Sequence, residues 1–191
     1  MKGRTLLGAL AAAVVMFLWG FVSHMFLGLG DFGVKEIPNE AAVLAAINSN
    51  VQGQGFYYYP GMGKPQNEVT EADQKLWEEK YRAGGHGVLI YTPAGKAFSF
   101  PAALGTQFLT ALVASLVAAF LLSNALGSLA GFLGRTLFVG ALGLFSSFDI
   151  LIPYWNWYDF PANYVLGSAA DRVIGWTLAG AVLAFILKPK A

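Results

Sequence analysis

Four long apolar runs dominate the pattern of hydrophobic and polar positions along this chain. They cover residues 6–27, 102–122, 136–152 and 173–187. As a helix, the first run is about 33 Å long, enough to cross the roughly 30 Å hydrocarbon core of a bilayer. The last run is short for a crossing, so we expect its helix to begin farther back, near Tyr164. The pattern predicts an α-helical membrane protein with four transmembrane helices.

The first run follows a short basic head, which is also how a secretory signal peptide begins. The run is long, and no pair of small residues marks a cleavage site after it. We therefore predict an uncleaved anchor, with a cleaved signal as the alternative. The predicted organisation is transmembrane helix 1 in residues 1–29, an extracytoplasmic cap in residues 30–100 and transmembrane helices 2–4 in residues 101–191.

The cap has the mixed composition of a domain that folds in water, and its pattern predicts a small α+β fold. One helix is predicted over residues 40–47, with Asn39 as its N-cap. A second is predicted over residues 71–83, where Thr70 and Asp73 have the spacing of a capping box. Both helices lie between the first two membrane spans.

Two further segments of the cap have the composition of β-strands. Residues 55–60 contain three consecutive tyrosines, and residues 87–92 form a short apolar run. The turn at residues 93–96 predicts that the second strand returns along residues 97–100 as a hairpin.

The charged residues are divided unequally between the two sides that four crossings define. With the amino terminus inside, the inner side holds no acid and five basic residues, Lys2, Arg4, Arg135, Lys188 and Lys190. Short cytoplasmic loops are rich in Lys and Arg, so both termini are predicted to be cytoplasmic and the cap extracytoplasmic. A bacterial inner membrane, with the cap in the periplasm, fits this arrangement.

Aromatic residues with polar edges follow the third run, namely Tyr154, Trp155, Trp157 and Tyr158. Such side chains are enriched where hydrocarbon meets lipid headgroups. They predict the outer membrane–water interface at this point of the chain.

Four polar residues lie at or near membrane depth, where each is costly unless it is paired or hydrated. Asp149 is in the third run, His24 is near the end of the first, and Asp171 and Arg172 immediately precede the last. Counted from the inner ends of their runs, Asp149 and Arg172 have nearly equal depth, about 20 and 22 Å. We predict an ion pair between them, with His24 slightly higher and Asp171 pointing elsewhere.

Two interpretations of this polar group remain open. The first is a clamp between helices. The second is a site for an ion, a metal or a proton, with Asp149 and His24 as ligands or relay groups and His86 of the cap as a further ligand. No cofactor is predicted, because the chain has no cysteine and its two histidines have no paired spacing on one helix.

Small residues recur at the spacing of close helix packing, in the pairs Ala111–Ser115, Gly127–Gly131, Gly140–Gly143 and Gly175–Ala179. They predict close contacts, either within the bundle or with other chains.

Composition and missing motifs limit the classes of function. The chain is 56% hydrophobic and 12% charged, without a basic stripe for a nucleic acid. Its inner segments are too small for a nucleotide site, which excludes an ATP-driven pump acting alone. No hydrolase elbow, zinc-protease motif or phosphate-binding loop occurs, which favours a non-enzymatic role.

Three functions fit this architecture. The first is a non-catalytic accessory or structural subunit of a larger integral membrane complex, with its helices packed on the complex and its cap over the extracytoplasmic face. Its expected partners are the lipid bilayer and other membrane subunits or further copies of the chain. The second is an ion or small-solute transport component that uses the polar group. The third is a metal- or lipid-handling enzyme with its site under the cap.

Overall fold

The computed structural model describes residues 3–129 and 131–189, which are mostly helical. Lys2 and Lys190, two of the basic residues used above for the orientation, lie outside the described residues. In chain order the elements are α1 (Gly3–Met25), α2 (Glu40–Asn50), β1 (Gly55–Tyr59), α3 (Glu71–Ala83), β2 (Gly87–Tyr91), α4 (Phe100–Ala125), α5 (Phe132–Tyr158) and α6 (Ala162–Ile186).

Within the described residues, four helices are long and apolar enough to cross a membrane, and they are α1, α4, α5 and α6. This confirms the predicted number of candidate spans. The last apolar run does extend back past Tyr164, because α6 begins at Ala162. The third extends forward, because α5 continues through Pro153 and carries the aromatic residues on its last turns.

The chain divides into two compact units. The described residues up to Lys35, together with those from Ser99 onwards, form the four-helix unit, and Glu36–Phe98 form the second unit. In the four-helix unit, α1 packs against both α4 and α6, and α6 packs against α5. By contrast, α4 meets α5 and α6 only weakly. The four helices therefore form a row in the order α4, α1, α6, α5.

Small residues set the close spacing of this row. A Cβ atom added at Gly143 of α5 would lie 2.7 Å from the carbonyl oxygen of Arg172 on α6. One added at Gly175 of α6 would lie 2.7 Å from the indole ring of Trp19 on α1. These contacts confirm packing within the bundle at Gly143 and Gly175. The core consists largely of alanines with a few larger side chains, including Ala9, Ala12, Ala118, Ala119, Leu122, Val139, Ala179 and Leu183.

The pair Gly127 and Gly131 differs from the other small residues. A Cβ atom at either position would meet nothing within 4 Å. Within the described residues these two glycines bring no helices together, so for this pair only contact with other chains stays as a prediction.

The second unit is built on a two-stranded sheet. Strands β1 and β2 are antiparallel, with Gly55 opposite Tyr91 and Tyr59 opposite Gly87. On the chain between them lies α3, and the indole of Trp77 on this helix donates a hydrogen bond of 2.7 Å to the carbonyl oxygen of Pro60. The predicted helices and the two strands are therefore present, but the predicted hairpin is wrong.

The partner of β2 is the earlier strand, not residues 97–100. Ser99 caps the next helix, since its hydroxyl accepts a hydrogen bond from the backbone N–H of Ala102. Proline in the first helical turn is compatible with this start, because it has no N–H that would be left unpaired there. Helix α4 thus begins where the return strand was expected.

The capping box at the start of α3 is confirmed, whereas Asn39 makes no side-chain cap for α2. Asp73 Oδ2 accepts hydrogen bonds from the Lys64 ammonium at 2.8 Å and from the Thr70 backbone N–H at 2.8 Å. The bonds from Lys64 and Thr70 hold the pKa of Asp73 well below its ordinary range. The carboxylate that closes this helix end therefore stays ionised at ordinary pH.

Candidate functional site

The four polar residues predicted at membrane depth lie on three different helices. His24 is in the last turn of α1, Asp149 is on α5, and Asp171 and Arg172 are on α6. The predicted ion pair between Asp149 and Arg172 is not among the ion pairs of the described residues. The four residues instead have separate surroundings.

The packing of α5 on α6 puts Asp149 and Arg172 at different depths. Gly140 lies against Thr177, and the helices run in opposite directions. Moving nine residues up α5 from Gly140 to Asp149 corresponds to moving nine residues back along α6 from Thr177 to Ser168. Asp149 is therefore level with Ser168, about 6 Å along the helix axis from Arg172.

The depth count from the sequence failed because apolar runs do not give the register between helices. The count assumed that Thr136 and Leu187, the inner ends of the two runs, lie at the same depth in the membrane. In the structure, the carbonyl oxygen of Thr136 lies against Gly180, seven residues earlier on α6 than Leu187. Helix ends and the positions of small residues decide this register, and the ends of hydrophobic runs do not.

Asp149 is exposed on the surface of α5, among exposed apolar side chains. Its helical neighbours Phe145 and Phe148 are 69% and 64% exposed. Pro153, four residues later, has no N–H to donate to the carbonyl oxygen of Asp149. A carboxylate and a carbonyl that lacks its usual intrahelical donor thus occur at the same point of an otherwise apolar face.

Asp171 belongs to the contact between α1 and α6. Its backbone carbonyl oxygen accepts a hydrogen bond of 3.0 Å from the indole Nε1 of Trp19. Its side-chain Oδ1 is buried without a hydrogen-bond partner in the part of the chain that is described. Arg172, the next residue, is half-buried. The bond from Trp19 joins α1 to α6 through the backbone of Asp171, and the role of its carboxylate stays a prediction.

His24 makes its polar contacts within the last turn of α1. Its Nδ1 lies 3.0 Å from the carbonyl oxygen of Gly20 and 3.0 Å from Ser23 Oγ. The imidazole also lies directly against Gly30, where an added side chain would force the ring to move. These contacts give His24 a structural role at the end of the helix.

No group of three His, Asp or Glu side chains within residues 3–129 and 131–189 is arranged to hold a metal ion. His86, in the second unit, stacks on the ring of Tyr81 with centroids 3.8 Å apart. Metal binding by His24, His86 or Asp149 stays a prediction without a ligand set.

Arg135 is a residue whose role the sequence did not reveal. Its side chain is only 5% exposed, although the charge pattern had indicated only that it lies on the inner side. It donates hydrogen bonds to the carbonyl oxygens of Leu129 at 3.2 Å and Ala184 at 3.3 Å. Ala184 lies in the last turn of α6, where carbonyl oxygens have no partner within the helix. In the sequence, the only indication of this role was a lone arginine close to an apolar run.

The interface aromatics lie together at the end of α5. Trp155 and Trp157 are 52% and 70% exposed. Tyr154 packs on Tyr158 and stacks on Phe160, at centroid distances of 6.1 Å and 5.0 Å. Their exposure is compatible with the predicted belt at a membrane surface.

These features define the class of the protein: a small, mostly helical chain with four candidate membrane spans and a separate unit built on a two-stranded sheet. The chain matches no protein-family model, no curated protein and no solved structure.

Proposed function

We propose that this chain is a non-catalytic accessory subunit of a larger integral membrane complex, in which the exposed face of α5 binds a helix of another subunit. The observation that carries the proposal is the exposed carboxylate of Asp149 on that face.

The position of Asp149 makes an exposed carboxylate unfavourable in lipid. Asp149 lies 17 residues after Phe132, where α5 begins, and 9 residues before Tyr158, where it ends. These intervals correspond to about 26 Å and 14 Å, which places the carboxylate in the hydrocarbon when α5 spans a bilayer. An ionised side chain costs up to about 2.5–3.5 kcal/mol on insertion scales, the value for the centre of a span. A donor from a neighbouring helix would offset this cost.

The arrangement of the helices also supports a protein partner on the exposed face of α5. The outer faces of α4 and α5 have little cover from the rest of the chain. Large apolar side chains are exposed along both helices, among them Val113 and Phe120 on α4. Lipid can cover such apolar faces, but its hydrocarbon supplies no hydrogen-bond donor for Asp149. A protein helix supplies both apolar contact and a donor.

The second unit also lacks cover for its apolar side chains. Among residues 36–98, all of which are described, none is buried. Ile90 is 72% exposed and Leu76 is 53% exposed. Small domains bury a low fraction of their surface and often need further contacts for stability. We assign the second unit to the extracytoplasmic face of the complex, where a partner covers these residues.

The orientation in this proposal follows from the distribution of charge. Arg4, Arg135 and Lys188 lie at the ends of α1, α5 and α6 that share one side of the row. The positive-inside rule assigns that side to the cytoplasm and the second unit to the other side. A bacterial inner membrane, with the second unit in the periplasm, is the proposed location.

An ion or small-solute transport component is the second candidate function. The observation that favours it is the pairing of the Asp149 carboxylate with a carbonyl freed by Pro153. Carboxylates and unwound carbonyls coordinate cations in transporters. Ion flux into liposomes that disappears in Asp149→Asn would support this candidate over the first.

The mass of the protein extracted from its native membrane in a gentle detergent tests the accessory role. We expect a complex well above the 20.4 kDa of the chain, containing other polypeptides. Asp149→Asn keeps the size of the side chain but removes its charge, and we expect this variant to lose most of its bound partner.

The matched control is Asp31→Asn, because Asp31 is an exposed acid outside the four long helices. This variant should retain the complex. A lone 20.4 kDa species from the unaltered chain would contradict the accessory role. A mass composed only of copies of this chain would also contradict it.

A further inference from the structure

A cavity of about 710 Å³ opens where α1 begins and where α4 and α6 end. Its volume is within the roughly 300–1,000 Å³ typical of small-molecule sites. All of its described lining belongs to the four-helix unit. It lies far along the helices from Asp149, so it is separate from the polar group considered above.

The wall of this cavity has an apolar part and a basic part. Phe120, Leu126 and Leu187 contribute apolar surface. Arg4 and Lys188 contribute positive charge.

No acidic residue is present in the described lining to oppose that charge. Neither Arg4 nor Lys188 forms an ion pair with an acidic side chain elsewhere in residues 3–129 and 131–189. The ammonium of Lys188 lies 5.3 Å from the centroid of the Phe185 ring, a contact that positions the charge without neutralising it.

Hydrogen-bonded polar side chains complete the lining between α1 and α4. Ser123 Oγ donates to the carbonyl oxygen of Ala119 at 2.6 Å, and Thr5 Oγ1 lies 3.2 Å from Ser123 Oγ. Asn124 Nδ2 donates to the carbonyl oxygen of Phe120 at 2.8 Å. The bonds to the carbonyl oxygens are made within α4, and the cations Arg4 and Lys188 supply the donors for an anion.

The cavity lies at the depth of lipid headgroups when the long helices span a bilayer. With 23 residues, α1 is about 35 Å long, slightly more than the hydrocarbon thickness. Its ends therefore reach the polar layer. Basic pockets between membrane helices on the cytoplasmic side are suited to anionic headgroups.

We propose that this cavity binds an anionic phospholipid. Arg4 and Lys188 hold the headgroup phosphate, and one acyl chain lies along Phe120. The inference depends on membrane insertion but not on the accessory role, and it gives a reason for both the charge and the apolar part of the wall.

Native mass spectrometry of the full chain in a neutral detergent tests the site. The probes are dioleoyl phosphatidylglycerol, dioleoyl phosphatidylcholine and soluble sn-glycerol 3-phosphate. We expect one phosphatidylglycerol to be retained in preference to phosphatidylcholine, and no retention of the soluble phosphate. The double variant Arg4→Gln/Lys188→Gln should bind phosphatidylglycerol roughly 30-fold more weakly, since two basic residues near the surface are lost.

The matched control is Lys75→Gln/Lys96→Gln, which removes the same net charge at two exposed positions of the second unit. It should retain the lipid. A third variant, Gly127→Phe, leaves the charges intact and adds a ring at the cavity wall, where an added Cβ atom would meet nothing within 4 Å. It should exclude the lipid by filling the space.

Several outcomes would overturn the proposal. One is equal retention of phosphatidylglycerol by the Arg4→Gln/Lys188→Gln variant and its control. Others are equal binding of phosphatidylcholine, and binding of sn-glycerol 3-phosphate as tight as that of the lipid. A monomeric chain that still selects phosphatidylglycerol would contradict only the accessory role, so the two proposals fail separately.

Discussion

Arg135 stabilises the end of a helix from a position within another helix. Its guanidinium is nearly inaccessible to solvent and donates to the carbonyl oxygens of Leu129 and Ala184. The first of these carbonyls lies in the connection that leads into α5, and the second lies in the last turn of α6. A single side chain therefore joins a loop and a helix end that the backbone alone leaves unpaired.

Replacing Arg135 by Leu should destabilise the protein by about 1–3 kcal/mol, because two carbonyl oxygens lose their donor in a buried place. Thermal unfolding in detergent, followed by circular dichroism, measures the change. Arg82→Leu is the matched control, since the Arg82–Glu78 pair is exposed and such pairs contribute at most about 1 kcal/mol. Equal melting temperatures for the two variants would contradict a buried clamp at Arg135.

The sequence showed which residues are unusual, but it did not show which way their side chains face. The acid in the third run and the acid–base pair before the fourth were recognisable as unusual, because ionisable residues are rare in membrane spans. Whether Asp149 faces Arg172 depends on the rotation and register of two helices. That information lies in the contacts of glycines such as Gly143, which a hydropathy pattern does not provide.

At the scale of elements, the contact between α5 and α6 depends on missing side chains. Gly140 and Gly143 allow α6 to approach so closely that Thr177 and the carbonyl oxygen of Arg172 occupy the space of a Cβ atom. Such close approach maximises dispersion contacts where lipid supplies no hydrophobic driving force between helices.

Gly143→Ala should separate α5 from α6 and lower the melting temperature, because the added methyl group would lie 2.7 Å from a backbone oxygen. Gly105→Ala on α4 is the matched control, since its added methyl group meets nothing within 4 Å. There the change should be neutral or stabilising by about 0.5–1 kcal/mol, because alanine favours a helix more than glycine does. Equal destabilisation by both substitutions would contradict tight packing at Gly143.

Local signals predicted elements well where capping chemistry was present. The Thr70–Asp73 capping box marks the start of α3 in both the sequence and the structure. The same kind of signal was missed at Ser99, which caps α4, so a hairpin was expected there instead. Strand pairing is non-local, and the pairing of β1 with β2 across α3 could not be read from the turn at residues 93–96.

At the scale of the whole molecule, the described chain is a row of four apolar helices and a small second unit without buried residues. Hydropathy alone predicted the number and approximate limits of the spans. It could not predict which helices pack closely and which meet only weakly, because that choice depends on which helix faces carry the small residues. The two proposals use surfaces that this packing leaves exposed, namely the outer face of α5 and the cavity at Arg4.

The topology of the chain tests the central claim most directly, and the absence of cysteine makes single-cysteine labelling simple. Glu79→Cys introduces a thiol on the exposed surface of α3, and Ser128→Cys introduces one in the exposed turn between α4 and α5. In intact bacterial cells with a permeabilised outer membrane, a membrane-impermeant maleimide should label Glu79→Cys at once. It should label Ser128→Cys only after the inner membrane is opened. Labelling of both positions under the same condition would contradict four crossings with the second unit outside.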